Sequence, residues 1–264
     1  MNSPAAIANL YADTGAAKTR MPFGKLLVLA IFAGAFIALG GLGSSIASCG
    51  MPGSVGRVLS GLVFPIGLMM VLVAGAELFT GNCLILISVL EKRATLLGMF
   101  RNWGIVYVGN FIGGAAVAAL AVYGHTFDMY NGGLAQASLA TAMAKVDLPF
   151  MDAFIRGILC NVMVCVAVWV SFAASDLAGK VLALSLPVFL FVLCGFEHCI
   201  ANMYFIPAGI FTAMEYPQFQ SGNLSWLSFI INNLLPVTLG NIVGGSVLVG
   251  IGYWFTYYSC CRDK

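Results

Sequence analysis

A chain of 264 residues that is 61% hydrophobic and only 8% charged is not a water-soluble domain, because soluble domains carry about 25% charged residues. A formal net charge of +2, with no basic patch interleaved with aromatics, excludes a nucleic-acid partner. What remains is an all-α protein that crosses the bilayer several times, since a helix satisfies its own backbone in lipid.

Residues 1–24 carry Ile7, Leu10 and Tyr11 at helical spacing, and Pro22 ends the segment. This reads as a short amphipathic helix at the cytoplasmic membrane surface, with a disordered tail as the alternative. No apolar run precedes Leu26, so insertion is expected to use the first span rather than a cleaved leader. A span needs about 20 apolar residues. Six stretches qualify, at about 25–49, 58–90, 102–124, 153–175, 180–213 and 229–258, and together they form a transmembrane domain over 25–258. Residues 259–264 follow as a short cytoplasmic tail.

The second and fifth stretches are too long for a single plain helix, and each carries the same interruption. Gly75-Ala76-Glu77-Leu78-Phe79-Thr80-Gly81-Asn82 and Gly195-Phe196-Glu197-His198-Cys199-Ile200-Ala201-Asn202 both follow G-x-E-x-x-x-x-N. A third repeated piece joins spans three and six, where Gly109-Asn110-Phe111-Ile112-Gly113-Gly114 matches Gly240-Asn241-Ile242-Val243-Gly244-Gly245. The copies are offset by 120 and 131 residues and keep their order, so the chain reads as two three-helix halves. Three spans per half make the second copy enter from the opposite side. That is an inverted repeat, with helices 2 and 5 broken and the transport site at the breaks. Lys and Arg number nine in the termini with the 2–3 and 4–5 loops, and three in the other loops. Both termini are therefore expected in the cytoplasm.

A glutamate inside a span is costly and points to function. Glu77 and Glu197 stand symmetrically, and they are read as structural pins accepting hydrogen bonds from backbone donors freed by the breaks, which Gly75 and Gly195 open. His198, Thr80, Asn82 and Asn202 lie between the breaks. His198 is a candidate hydrogen-bond or proton donor to a weak-acid anion. Lys145, placed in the loop before span four, is either a solvated loop charge or an attractor at the outer vestibule. The eight cysteines form no C-x-x-C pair, so they read as packing residues with no metal site. No phosphate-binding glycine loop or nucleophile triad is present, and the only other histidine is His125. The sequence supports neither ATP-driven transport nor an enzyme, and implies no cofactor.

These segments resemble the formate/nitrite transporter family. Val73–Gly81 is similar to its first signature, Gly157–Ala167 to its second, and Gly195–His198 with Ala201-Asn202-Met203 to its central histidine segment. The resemblance implies an aquaporin-like fold and a homopentamer with a pore in each protomer, in the plasma (inner) membrane. It makes His198 the central pore histidine with Thr80 as partner, and Lys145 the vestibule lysine. Phe64 and Phe191 become an outer constriction, and Leu68, Leu78, Phe79 and Val164 an inner one. Asn161 and Asn202 become polar residues near the pore. Cys199 stands where serine is common in formate channels, and Gly81-Asn82 also depart from the pattern, which leaves the substrate open. The expected cargo is a small monovalent anion, formate first with nitrite or hydrosulfide as alternatives, moved passively or with a proton. A neutral-solute pore of the water or glycerol type is the rival from another class. Its paired N-P-A motif is replaced here by Asn82-Cys83-Leu84 and Asn202-Met203-Tyr204.

Overall fold

Apolar runs that must satisfy their backbone without water coil into helices, and the computed structural model, which describes residues 1–258, has only helices as regular elements among those residues. In chain order they are α1 (Pro4–Thr19), α2 (Phe23–Ser48), α3 (Gly53–Ala74), α4 (Phe79–Leu90), α5 (Leu96–Tyr123) and α6 (Gly133–Val146). They continue with α7 (Phe150–Ser171), α8 (Leu177–Leu193), α9 (Cys199–Glu215) and α10 (Trp226–Tyr257). Helices α2, α3, α5, α7 and α10 are long and apolar enough to cross a bilayer. The second predicted stretch is divided into α3 and α4, and the fifth into α8 and α9. The predicted tail 259–264, with Cys260, Cys261, Arg262 and Lys264, lies outside the described residues.

Both divisions have the same cause. Gly75 and Gly195 turn the chain out of the helix at φ +80° and +69°, a left-handed conformation that glycine adopts without a Cβ penalty. A few extended residues follow, and Leu78 and His198 then serve as the N-caps from which α4 and α9 restart.

Close backbone approach builds the rest. Helix α2 packs along α5, and α7 along α10. A Cβ on Gly113 would strike the Ile31 carbonyl oxygen, and one on Gly244 would strike that of Ile158. The repeated G-N-x-x-G-G pieces are thus the seams where two helix backbones touch, as small residues permit in membranes. Helix α10 has two wide-turned stretches, Phe229–Leu234 and Val243–Ile251.

Within the predicted amphipathic segment 1–24, the helix spans Pro4–Thr19, turning Ile7, Tyr11 and Ala12 into the protein and leaving Leu10 exposed. The Tyr11 hydroxyl donates to the Gly81 carbonyl at 2.9 Å, beside the first break. An ion pair from Arg93 to Asp13 (2.8 Å) and a bond from the Asn2 amide to Phe172 O (2.8 Å) hold the same helix. Lys145 does not sit in an irregular loop: it occupies the last turn of α6, a helix that sequence reading passed over.

Candidate functional site

A broken helix leaves N–H and C=O groups that lipid cannot satisfy. At the first break, the Asn110 side chain accepts from Phe79 N–H (3.0 Å) and donates to the carbonyls of Ala30 (2.7 Å) and Glu77 (2.9 Å). At the second, Asn241 accepts from Cys199 N–H (2.9 Å) and donates to the carbonyls of Gly157 (2.7 Å) and Glu197 (3.0 Å). An amide suits this task because it offers an acceptor and two donors on one rigid plane.

The glutamates are pinned in the same duplicated way, but by side chains rather than by the freed backbone donors expected from sequence. Glu77 takes Lys18 Nζ on one oxygen (2.8 Å) and Asn82 Nδ2 on the other (2.8 Å). Glu197 takes Lys145 Nζ (2.8 Å) and Asn202 Nδ2 (2.7 Å). Asn82 also donates to Asn102, and Asn202 to Asn233, at 2.9 and 2.7 Å. The backbone N–H of Glu77 and of Glu197 instead reaches across to Leu29 O (3.2 Å) and Arg156 O (3.3 Å). Lys145 is therefore a mostly buried ion-pair partner, its side chain 17% exposed, and not a solvated charge.

Between the breaks, Thr80 Oγ1 and His198 Nε2 lie 2.9 Å apart. His198 Nδ1 accepts the N–H of Ala201 at 3.0 Å, as the cap of α9. With Nδ1 accepting, the neutral ring carries its proton on Nε2 and donates to Thr80. Asn161 braces this contact from behind, donating to the carbonyls of Thr80 (3.3 Å) and Asn241 (2.7 Å).

Two open cavities approach this contact; the first reaches His198, and the second reaches Leu78 and Gly81, on either side of Thr80 in sequence. One, of about 470 Å³, is lined by Lys145, Glu197, His198 and Asn202, and by Cys49–Met51 beyond the end of α2. The other, of about 160 Å³, is lined by Lys18, Glu77, Leu78 and Asn82. Lys18 stands before the start of α2, and α2 has 26 residues, a length of about 39 Å at 1.5 Å per residue. The cavities therefore open on opposite faces. Between them lies a space of about 10 Å³ enclosed by Phe64, Leu68, Leu78, Val164, Phe191 and His198, together with Ile37 and Val188, which sequence reading did not name, at the lower limit for one water molecule. Phe64 and Phe191 also line the larger cavity, and Leu68 and Leu78 the smaller. The ring of Phe191 stacks on that of His198, with centroids 5.9 Å apart.

Phe79 is not brought to this group. Its neighbour Leu78 is extended and takes the inward position, so Phe79 turns the other way and packs on Trp103 and Tyr107, with centroids 5.9 and 4.9 Å away. Sequence reasoning missed Lys18, Asn102 and Asn233, and it did not see the side-chain work of Asn110 and Asn241. A signal for Lys18 was present: Lys18-Thr19-Arg20-Met21-Pro22-Phe23 and Lys145-Val146-Asp147-Leu148-Pro149-Phe150 share K-x-x-x-P-F before the first span of each half. Helices α1 and α6 thus occupy equivalent places in the duplication.

Residues 5–255 match a family model described as formate/nitrite transporter. A probable formate transporter of Methanothermobacter thermautotrophicus is 41% identical, covering 97% of each chain. The formate channel FocA of Escherichia coli (strain K12) is 38% identical, over 96% of this chain and 94% of that one. Among solved structures, a pentameric formate channel with formate bound superposes with a TM-score of 0.79 at 38% identity, covering 89% of this chain and 97% of the other. A formate/nitrite-transporter-family ion channel superposes at 0.84 with 30% identity, covering 95% and 98%.

Proposed function

The chain belongs to the formate/nitrite transporter family, and on that premise we propose that it passes formate through a pore in each protomer of a homopentamer in the plasma (inner) membrane. Members of this family are channels and transporters, and the chain is a multi-pass membrane channel rather than an enzyme. The observation that carries the pore assignment is His198, held 2.9 Å from Thr80, in the constriction that separates the two opposed cavities. Relatives named as formate channels, and a solved neighbour described as pentameric with formate bound, support the cargo and the assembly. The excess of Lys and Arg in the termini and in the 2–3 and 4–5 loops supports cytoplasmic termini. In that orientation the Lys18 cavity faces the cytoplasm and the Lys145 cavity faces outward. Residues 25–258 then form the channel domain, and 1–24 and 259–264 lie on the cytoplasmic side.

A bare anion crossing the ring of Phe64, Leu68, Leu78, Val164 and Phe191 loses its hydration without gaining a partner, at a cost of several kcal/mol. His198 Nε2–H is the polar donor at that ring, and an arriving carboxyl oxygen takes it over from Thr80. A ring protonated on both nitrogens has to surrender the Ala201 N–H bond that caps α9. We therefore assign His198 as a hydrogen-bond donor that positions the substrate, with the accompanying proton supplied by water in the cavities. Nitrite and hydrosulfide share formate's small size and single charge and compete for the same path.

Formate flux into proteoliposomes across a range of pH tests this reading. His198→Gln, which keeps an N–H donor but transfers no proton, should retain pH-dependent flux, and His198→Phe should lose most of it. Loss of the pH dependence in His198→Gln would instead make the histidine the proton carrier. Glycerol passage at a rate matching formate would replace the anion channel by a neutral-solute pore.

A further inference from the structure

Each of the two cavities carries two cations and a single carboxylate. On one side these are Arg57, Lys145 and Glu197, and on the other Lys180, Lys18 and Glu77. In both, one cation is already committed. Lys145 sits 2.8 Å from Glu197 and also faces the Phe205 ring, 5.5 Å from its centroid. Lys18 sits 2.8 Å from Glu77 and donates to Asn82 Oδ1 at 3.0 Å. Seen by an approaching anion, a contact ion pair is a dipole with no net charge. The Coulomb pull of either lysine is largely cancelled by the carboxylate it holds.

The second cation on each side is left over. Among the described residues, neither Arg57 nor Lys180 has an ion-pair partner. Arg57 reaches the break itself: a Cβ built on Gly195 would stand 3.5 Å from its guanidinium Nη1. Its charge therefore lies over the turn that leads into Phe196-Glu197-His198. Arg57 lies on α3 and Lys180 on α8, the leading halves of the two divided stretches. The surplus charge is thus duplicated along with the pins.

We propose that Arg57 and Lys180 are the charge-selecting residues of the two mouths, setting how fast anions reach the constriction, while Lys145 and Lys18 chiefly hold the glutamates. This rests on the anion-channel reading above. Charged clefts raise local counter-ion concentration and access rates by about 10- to 1000-fold, and a single exposed charge screened beyond about 8–10 Å in salt belongs at or below the lower end of that range. Removing both surplus charges should lower the initial rate about 3- to 10-fold at low ionic strength.

The test is initial formate and nitrite flux into proteoliposomes at limiting substrate, for wild type, Arg57→Gln/Lys180→Gln and Arg57→Lys/Lys180→Arg. Changing both mouths together makes the result independent of how the channel inserts. The neutral variant is expected to be slow at low ionic strength and to converge with wild type at high ionic strength, and the charge-keeping variant should match wild type throughout. A neutral variant as fast as wild type at low ionic strength overturns the proposal and leaves the channel reading intact. So does a charge-keeping variant as slow as the neutral one. Wild type passing neither anion overturns the channel reading, and this proposal with it.

Discussion

Lys145→Met tests the pinning role of the buried ion pairs. The pair stands at 2.8 Å with side chains 17% and 6% exposed. Removing one partner of a buried pair costs about 3–5 kcal/mol, because the remaining charge is left without compensation. Glu197 keeps the amide donors of Asn202 (2.7 Å) and Asn233 (3.3 Å), which places the loss at the lower end, about 3 kcal/mol. At about 2–4 °C per kcal/mol, the melting temperature in detergent should fall by about 6–12 °C. Glu197→Gln alone leaves the lysine unpaired and should also destabilise. The double variant Lys145→Met/Glu197→Gln removes both charges and should recover at least half of the combined loss, since isolated charges and not the missing pair are what cost energy. Thermal unfolding of the four proteins, followed by tryptophan fluorescence, gives the coupling. A Lys145→Met protein within about 1 kcal/mol of wild type would refute the argument, because it falls outside the expected cost. Losses that simply add in the double variant would refute it as well. The Lys18–Glu77 pair, also at 2.8 Å, is a second copy of the experiment inside the same chain.

Gly113→Ala and Gly244→Ala should each destabilise by about 1–3 kcal/mol through overpacking, since the new methyl meets a neighbouring helix's backbone carbonyl rather than a movable side chain; melting curves check this. Gly104→Ala, with nothing within 4 Å of the added carbon, is the control and should be neutral or stabilising. Thr80→Val takes the acceptor from His198 Nε2 and leaves a buried donor unpaired, at about 1–3 kcal/mol. Formate flux should change in that variant while oligomer size on gel filtration stays the same. Asn241→Leu removes three hydrogen bonds at the second break and should cost more stability than Asn202→Leu, measured by the same melts.

Much of the architecture is legible without coordinates because lipid imposes a strict rule on composition. Long apolar runs had to be helices, and a run of 33 residues such as 58–90 had to be interrupted. Glycine followed by a glutamate marked both interruptions. The duplicated order of the motifs showed the two halves, and the outlying histidine pointed to the centre. Other features were visible only as letters. Lys18 and Lys145 share K-x-x-x-P-F, yet one lies in a segment that reads as a surface helix and the other in what reads as a loop. Neither context predicts a partner 59 or 52 residues away in sequence. Phe79 sits between two residues that do reach the centre, and only the extended geometry of Leu78 decides that it faces α5 instead.

Local composition and period therefore determined the helices, the breaks, the duplication and the residue types available for an anion path. Tertiary structure decided which of those residues meet. Thr80 and His198 are 118 positions apart, and they touch because two half-helices restart against each other from opposite faces of the protein. Charge followed the same division: the sequence shows cations near each mouth, but only distance reveals which of them a glutamate has already neutralised. A Coulomb interaction depends on separation in space, and separation along the chain carries almost no information about it.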